Sequence, residues 1–148
     1  SADVVIVGAG LTGITAALLL ARKGKKVIVI EAHEVGSGIS GQTTAHITAI
    51  LDSRFKTLAS DFGKDGAQLA ARSHLRAIEQ IAHDVTQYNI NCDFERLSGY
   101  LYTEKTDDVG ALEDELQALR DAGFANAMFV DPGLPFRVQR AIRIDVSK

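Results

Sequence analysis

A glycine-rich stretch near the start of the chain limits the possible folds more than any other feature. Val4–Val7 is a β-branched run, typical of a strand buried on both faces of a parallel sheet. Gly8, Gly10 and Gly13 follow with G-x-G-x-x-G spacing. The first glycine permits a tight strand-to-helix turn, the second a close backbone approach to a pyrophosphate, and the third close helix–strand packing. Leu11–Lys23 is predicted to form the helix that follows this turn.

The second half of the motif adds another strand and an acid. Gly24 is placed to end the helix, and Val27–Ile30 is predicted to be a second buried strand. Glu31 ends this strand about 20 residues beyond the glycines, where a carboxylate can accept both ribose hydroxyls of an adenosine. The amides and positive dipole end of the helix would face the two phosphates. The stretch therefore predicts adenine dinucleotide binding. Glu31 would repel a 2′-phosphate, which leaves FAD or NAD.

The spacing of this motif is similar to that of a known family. From Gly8 through Ala17 and Gly24 to Glu31 it resembles the FAD-binding opening of the D-amino-acid oxidase, glycine oxidase and sarcosine oxidase superfamily. The resemblance implies FAD rather than NAD. It also implies an α/β fold: a Rossmann-like FAD-binding βαβ unit with a parallel sheet, followed by helices and the start of a second, substrate-domain sheet.

Later stretches resemble a bacterial subgroup of this superfamily. Gly38–Thr48, Asn91–Phe94 and Gly99–Thr103 are similar to proteins in which a flavin oxidoreductase domain is followed by a Rieske iron–sulfur domain. The likeness covers the chain to about Phe124 and is looser beyond it. Because family members run to several hundred residues, the resemblance implies an N-terminal fragment that binds FAD weakly or not at all and is inactive alone.

The resemblance also assigns roles to residues. It places Glu31 on the adenosine ribose and the loop Gly41–Ala45 along the pyrophosphate and ribityl chain, approaching the flavin ring. Thr43 and Thr44 are the best candidates in this loop, since hydroxyls can donate to phosphate or flavin oxygens without burying a charge. A solvent-exposed turn is the alternative for these residues. The predicted cofactor-binding residues are Gly8, Gly10, Leu11, Thr12, Gly13, Glu31, Ala32, Gly41, Gln42, Thr43 and Thr44.

The reaction implied by the resemblance is flavin-dependent oxidation of a C–N bond in an amino acid or amine, with that small molecule as the partner. No acid–base pair or nucleophile is identifiable in the sequence, so no catalytic residue is predicted. Tyr100 and Tyr102 alternate along a predicted strand, where packing is favoured over substrate contact. The alternatives are an NAD-linked dehydrogenase and a non-catalytic dinucleotide-binding or assembly module.

Composition excludes several classes of function. The net charge of −3 does not support nucleic-acid binding, which needs clustered excess Lys and Arg. No apolar run approaches the roughly 20 residues that cross a bilayer, and a cytoplasmic location is expected. Cys92 is the only cysteine. A Rieske cluster needs two cysteines and two histidines, so it cannot be built from this chain, and no metal site is predicted.

The remaining elements follow from periodicity and turn residues. The prediction divides the chain into an FAD-binding part with a helical insertion, 1–95, and an incomplete substrate-domain segment, 96–148. Exposed edges of a short sheet would favour association, so a homo-oligomer is possible. The predicted elements are a loop over Ala32–Gly41, a helix or strand beginning in Thr44–Leu51, helices over Asp52–Phe62, Lys64–Asn89 and Asp108–Ala122, and strands over Cys92–Phe94, Gly99–Thr103, Ala127–Val130 and Arg137–Val146.

Overall fold

The chain divides into two compact units in a computed structural model that describes residues 1–145. The units are Ser1–His46 and Ile47–Lys148. This division lies well before residue 95, because the long helix that opens the second unit packs against a later helix of the same unit. The predicted boundary at 95/96 concerns the domains of a longer flavin enzyme and remains a prediction.

The first unit is a parallel βαβ unit. Strand β1 (Val4–Val7) leads into helix α1 (Leu11–Arg22), which returns the chain to strand β2 (Val27–Ile30). The strands pair in parallel from Val4 opposite Val27 to Val7 opposite Ile30. The predicted strands are confirmed at their full length, and α1 ends one residue before the predicted limit. The α/β class is confirmed, since a parallel pair requires such a crossover.

Only one face of this small sheet is covered. Side chains alternate between half-buried and exposed along both strands. The exposed face includes Val5 and Val7, at 55% and 84% exposure, and Ile28 and Ile30, at 49% and 52%. The prediction of strands buried on both faces is therefore wrong for the described residues. A single crossover helix covers only one side of a sheet.

The segment after β2 differs from the prediction in two places. A short helix α2 (Ile39–Gln42) interrupts the loop predicted over Ala32–Gly41. Thr44–Leu51 forms neither helix nor strand. The Thr48 hydroxyl accepts a hydrogen bond from the Ile50 backbone N–H at 3.0 Å, a local turn that competes with regular structure.

The second unit begins with helix α3 (Phe55–Gln87), which is broken once. Gly63 has φ 72° and ψ 172°, a non-helical conformation between two helical halves. This confirms the prediction of two helices that meet at Gly63. The conformation is open almost exclusively to glycine.

A three-stranded antiparallel sheet and one helix complete the second unit. The strands are β3 (Gly99–Thr103), β4 (Met128–Val130) and β5 (Arg140–Ile144), in the order β3-β5-β4. Helix α4 (Val109–Ala122) follows one turn of 3-10 helix and ends at Gly123, whose φ is 117°.

Two strand predictions in this unit need correction. The strand predicted over Cys92–Phe94 is wrong: this loop lies beside α3, where Arg96 donates to both carboxylate oxygens of Glu79 at 2.8 and 2.9 Å. β5 is shorter than the strand predicted from Arg137, and Val146 lies outside the described residues.

The core of the second unit lies between the sheet and the two helices. The largest fully buried side chains are Phe55, Leu119, Ile142 and Ile144. The Phe55 and Phe124 rings meet edge to face with centroids 5.3 Å apart. Ile142 and Ile144 are the residues of β5 that face this core.

A buried carboxylate joins the two helices of this core. Glu115 of α4 is 3% exposed. Its two oxygens accept hydrogen bonds from the backbone N–H groups of Phe55 and Lys56, at 2.8 and 3.0 Å. Residue Arg54, at the N-cap of α3, makes no side-chain cap bond. Glu115 therefore caps α3 from 60 residues away.

Replacing Glu115 by glutamine tests this cap. A glutamine offers one acceptor oxygen, so one buried N–H would lose its partner, which costs about 1–3 kcal/mol. We expect Glu115→Gln to lower the free energy of unfolding by that amount in urea denaturation. Glu113→Gln, an exposed position on the same helix, is the matched control and should be nearly neutral. Equal effects of the two substitutions would contradict the cap.

A second substitution tests the break in α3. An alanine at Gly63 meets no atom within 4 Å, so any loss of stability would come from its positive φ. We expect Gly63→Ala to destabilise the chain by about 1–3 kcal/mol. Gly110, inside α4 and also without close neighbours, is the control, and Gly110→Ala should stabilise by up to about 1 kcal/mol. A stabilising effect at both positions would show that α3 can run straight.

Candidate dinucleotide-binding site

Gly8 and Gly13, in the turn between β1 and α1, require glycine for different reasons: backbone conformation at the first and lack of space at the second. Gly8 has φ 100°, a conformation that other residues rarely adopt. A Cβ on Gly13 would lie 2.0 Å from the Gly8 carbonyl oxygen and 3.4 Å from Cγ2 of Ile6. The helix therefore lies directly against the strand. The turn and packing roles predicted for the first and third glycines match this geometry.

A serine that was not among the predicted site residues also contacts the turn. A Cβ on Gly10 would lie 3.0 Å from the Ser40 hydroxyl oxygen. The same hydroxyl accepts a hydrogen bond from the Leu11 backbone N–H at 3.1 Å. Ser40 lies in α2, next to the predicted Gly41. Its place in the same Gly/Ser/Thr stretch was the only signal that could have identified it.

The start of α1 offers donors to an anion. The backbone N–H groups of Leu11, Thr12 and Gly13 have no carbonyl one turn earlier within the helix. The Leu11 N–H donates to the Ser40 hydroxyl. Gly10, at the N-cap position, has no side chain that could accept a hydrogen bond from the helix. Together with the helix dipole, this end of α1 is suited to a phosphate.

Glu31 holds the glycine turn. Its Oε2 accepts a hydrogen bond from the Ala9 backbone N–H at 2.7 Å, and its Oε1 accepts one from the His33 N–H at 3.0 Å. The Ala9 carbonyl in turn accepts from the Gly36 N–H at 2.9 Å, and Ala9 is 1% exposed. The acid predicted for a ribose is thus already bonded to the turn. Each carboxylate oxygen still has a second lone pair for a ligand hydroxyl.

These hydrogen bonds also fix the charge of Glu31. The Ala9 N–H is the largest cause that lowers the pKa of Glu31 below the usual glutamate value, followed by the His33 N–H. The side chain is therefore ionised at neutral pH and acts only as an acceptor. An ionised carboxylate here suits ribose hydroxyls and opposes a 2′-phosphate.

The remaining predicted site residues are exposed. Gly41 and Gln42 end α2, and Ala32 follows Glu31. The Thr43 hydroxyl accepts from the Ala45 N–H at 3.3 Å, and Ala45 has φ 56°. Thr44 makes no side-chain hydrogen bond with any residue of 1–145. The structure thus gathers Gly8, Gly10, Leu11, Gly13 and Glu31 around one turn, and it places the threonines in an exposed loop.

Residues 1–145 contain neither a cluster suited to a metal nor a membrane-spanning helix. Among residues 1–145, no group of three or more His, Cys, Asp and Glu side chains is arranged to hold a metal. Within the same residues, no helix is both long and apolar enough to cross a membrane.

The fold and the turn define a class of protein. The first unit is a Rossmann-like dinucleotide-binding unit. It combines a parallel βαβ arrangement, a glycine turn, a helix start with N–H groups available to an anion, and an ionised acid at the end of the second strand. Residues 3–141 match the model of the family described as FAD dependent oxidoreductase. The chain therefore belongs to the FAD-dependent oxidoreductase family. FAD is the cofactor of this family, which confirms the prediction of FAD over NAD.

Two curated relatives are similar along much of the chain. A putative Rieske 2Fe-2S iron–sulfur protein of Bacillus subtilis is 32% identical over 140 residues, which are 95% of this chain and 28% of that protein. The gamma-glutamylputrescine oxidoreductase of Escherichia coli is 29% identical over 113 residues, which are 76% of this chain and 26% of that protein. The chain thus spans less than a third of their length.

A solved structure confirms the fold. The L-proline dehydrogenase of P. horikoshii superposes with a TM-score of 0.72 over 99% of this chain and 37% of its own chain, at 17% sequence identity. At this identity, the similarity supports the predicted fold class alone.

The titration of Glu31 is open to direct test. A native pKa below the unfolded value means that ionised Glu31 stabilises the turn above the unfolded pKa, and that this contribution is lost as pH falls through the native pKa. We expect the Glu31 Cδ chemical shift to titrate at lower pH in the folded chain than in the urea-unfolded chain. An equal or higher native midpoint would contradict the hydrogen bond from Ala9.

Proposed function

We propose that the first unit holds the ADP part of FAD in an oxidoreductase that oxidises a C–N bond of an amino acid or amine. The observation that carries this proposal is the ionised Glu31 bonded to the glycine turn, with its remaining lone pairs able to accept ribose hydroxyls. Family membership favours an FAD-dependent oxidoreductase over an NAD-linked dehydrogenase and over a non-catalytic binding or assembly module.

The residues of the turn would divide the work of holding the cofactor. Gly10 would allow the backbone to approach the pyrophosphate, and the amides of Leu11, Thr12 and Gly13 would donate to its oxygens. The Ser40 hydroxyl, which is already bonded to Leu11, would either join these donors or give way to a phosphate oxygen. Ala32, Gly41, Gln42, Thr43 and Thr44 would complete the binding residues along the rest of the cofactor.

The proposed reaction rests on the chemistry of the cofactor and on the relatives. FAD, when bound, supplies the acceptor for a hydride from the C–N bond. One similar protein is named a gamma-glutamylputrescine oxidoreductase, and gamma-glutamylputrescine contains such a bond. No residue of this chain is assigned a catalytic role, and the residues proposed here bind and orient.

The longer protein is part of the proposal. Since the chain spans 28% of its Rieske-named relative, we propose that it forms the start of a longer flavoprotein with a Rieske domain further along. In that protein, residues 1–95 would belong to the FAD-binding domain and 96–148 to the substrate domain. The cytoplasmic location and a homo-oligomeric state remain predictions.

Removal of the Glu31 carboxylate tests the cofactor assignment. We expect Glu31→Ala in the full-length protein to weaken FAD binding roughly ten- to hundredfold, the scale of lost charge-assisted hydrogen bonds. Flavin fluorescence titration measures the affinity. Glu34→Ala, an exposed acid in the following loop, is the control and should leave affinity unchanged. Unchanged affinity in Glu31→Ala, or greater thermal protection by NAD than by FAD, would overturn the proposal.

A further inference from the structure

The loop after β2 repeats the glycine spacing of the first turn. The spacing G-x-G-x-x-G occurs twice in the first unit, at Gly8, Gly10 and Gly13 and again at Gly36, Gly38 and Gly41. In each copy the first glycine has a positive φ, 100° at Gly8 and 77° at Gly36, and a helix begins directly after the second glycine. We call residues 36–41 the second glycine motif. The two glycine turns thus have the same local construction.

The third glycine of the second motif lies against the carbonyl group of the first. A Cβ on Gly41 would lie 2.8 Å from the Gly36 carbonyl oxygen, closer than real Cβ atoms approach other atoms. The same relation holds between Gly13 and the Gly8 carbonyl oxygen in the first turn. Gly41 lies in α2 and does not have a positive φ. Lack of space, rather than backbone conformation, therefore excludes a side chain at Gly41.

Hydrogen bonds fix the position of Gly36. Its backbone N–H donates to the Ala9 carbonyl at 2.9 Å, and Ala9 is 1% exposed. The Ala9 N–H donates in turn to the Glu31 carboxylate at 2.7 Å. Helix α2, by contrast, is a single turn whose residues are exposed or half-buried. A side chain at Gly41 would therefore displace α2 rather than Gly36.

Ser40 is the residue of α2 that such a displacement would affect most. Its Oγ accepts the Leu11 backbone N–H at 3.1 Å and lies 3.0 Å from the Cβ position of Gly10. A hydroxyl that accepts one hydrogen bond still has a proton to donate, and this proton has no acceptor among residues 1–145. Hydrogen bonds weaken steeply when distance and angle change. The Leu11 contact, and any contact with a pyrophosphate oxygen, therefore depends on where α2 holds Ser40.

We propose that Gly41 is a positioning residue, which keeps the Ser40 hydroxyl on the first glycine turn and affects cofactor binding chiefly through Ser40. The missing side chain lets α2 lie against the Gly36 carbonyl, and Gly36 is tied to the first turn through Ala9. The effect on FAD rests on the proposed function. The effect on the hydrogen bond between Leu11 and Ser40 does not, because that bond is present without a cofactor.

The Leu11 amide tests the positioning in the chain without FAD. We expect Gly41→Ala to move the Leu11 amide proton resonance upfield and to speed its hydrogen exchange roughly two- to tenfold, as Ser40→Ala also should. Gly24→Ala is the matched control, since Gly24 has φ 76° in the same unit and no atom within 4 Å of its Cβ position. It should leave the Leu11 resonance in place.

Two results of this experiment would overturn the inference. One is an unmoved Leu11 resonance in Gly41→Ala, which would show that Ser40 does not depend on Gly41. The other is global unfolding of Gly41→Ala, because the predicted displacement is confined to α2 and residues 47–145 should keep their resonances.

A double-mutant cycle in the full-length protein tests the effect on FAD. We expect Ser40→Ala and Gly41→Ala each to weaken FAD binding roughly tenfold, and the combined variant to bind at most about twofold more weakly than Ser40→Ala. Gly24→Ala should leave the affinity unchanged. Losses that multiply to about a hundredfold in the combined variant would show that Gly41 acts independently of Ser40, and they would contradict the inference. Absence of FAD binding in the unaltered protein would overturn the proposed function instead, and the Leu11 resonance would still decide whether Gly41 positions Ser40.

Discussion

The contact between Gly13 and the Gly8 carbonyl determines the geometry of the first unit. A Cβ at Gly13 would lie 2.0 Å from that oxygen, so any side chain there would push α1 away from β1. With glycine, the helix starts directly above the end of the strand. Its first amides and its positive dipole end then lie beside the turn, where a phosphate could be bound. The absence of a side chain at Gly13 thus explains both the close packing of α1 on β1 and the suitability of the turn for an anion.

Glu31 links this turn to the second strand. By accepting the Ala9 N–H at 2.7 Å, it ties the end of β2 to the loop after β1. The same hydrogen bond lowers the pKa of the carboxyl group and keeps it ionised. A group that both holds the turn and offers acceptors to a sugar couples local stability to ligand binding. Substitution at Glu31 therefore removes the hydrogen bond that holds the turn together with the acceptor for a sugar.

Local patterns predicted most of the elements. β-Branched runs identified β1 and β2, and the helical patterns over Asp52–Phe62 and Lys64–Asn89 predicted two helices that meet at Gly63. The glycines and Glu31 were found because their roles depend on spacing within one βαβ unit. Thr44–Leu51 was predicted wrongly because the local Thr48 turn outweighs the apolar spacing of Ile47 and Ile50.

Features that depend on distant partners were not predictable in this way. The cap of α3 by Glu115 joins residues 60 positions apart, and a lone glutamate on a helix gives no sign of it. Ser40 reaches the Leu11 amide across 29 positions. Its hydroxyl resembles those of Thr43 and Thr44 in sequence, and only the fold distinguishes the serine that meets the turn from the threonines that do not.

The two sheets show why exposed apolar surface does not have a single meaning. The open face of β1 and β2 presents Val5, Val7, Ile28 and Ile30, which offer area but no hydrogen-bonding group. Covering such a face with any apolar surface is favourable, so the face does not discriminate between apolar partners. The open face of the second sheet adds the Arg143 guanidinium and two phenol groups to its apolar area. Charge and hydrogen-bonding groups then restrict what can bind, because an occupant that covered the guanidinium and the phenol groups without offering them partners would desolvate them at a cost.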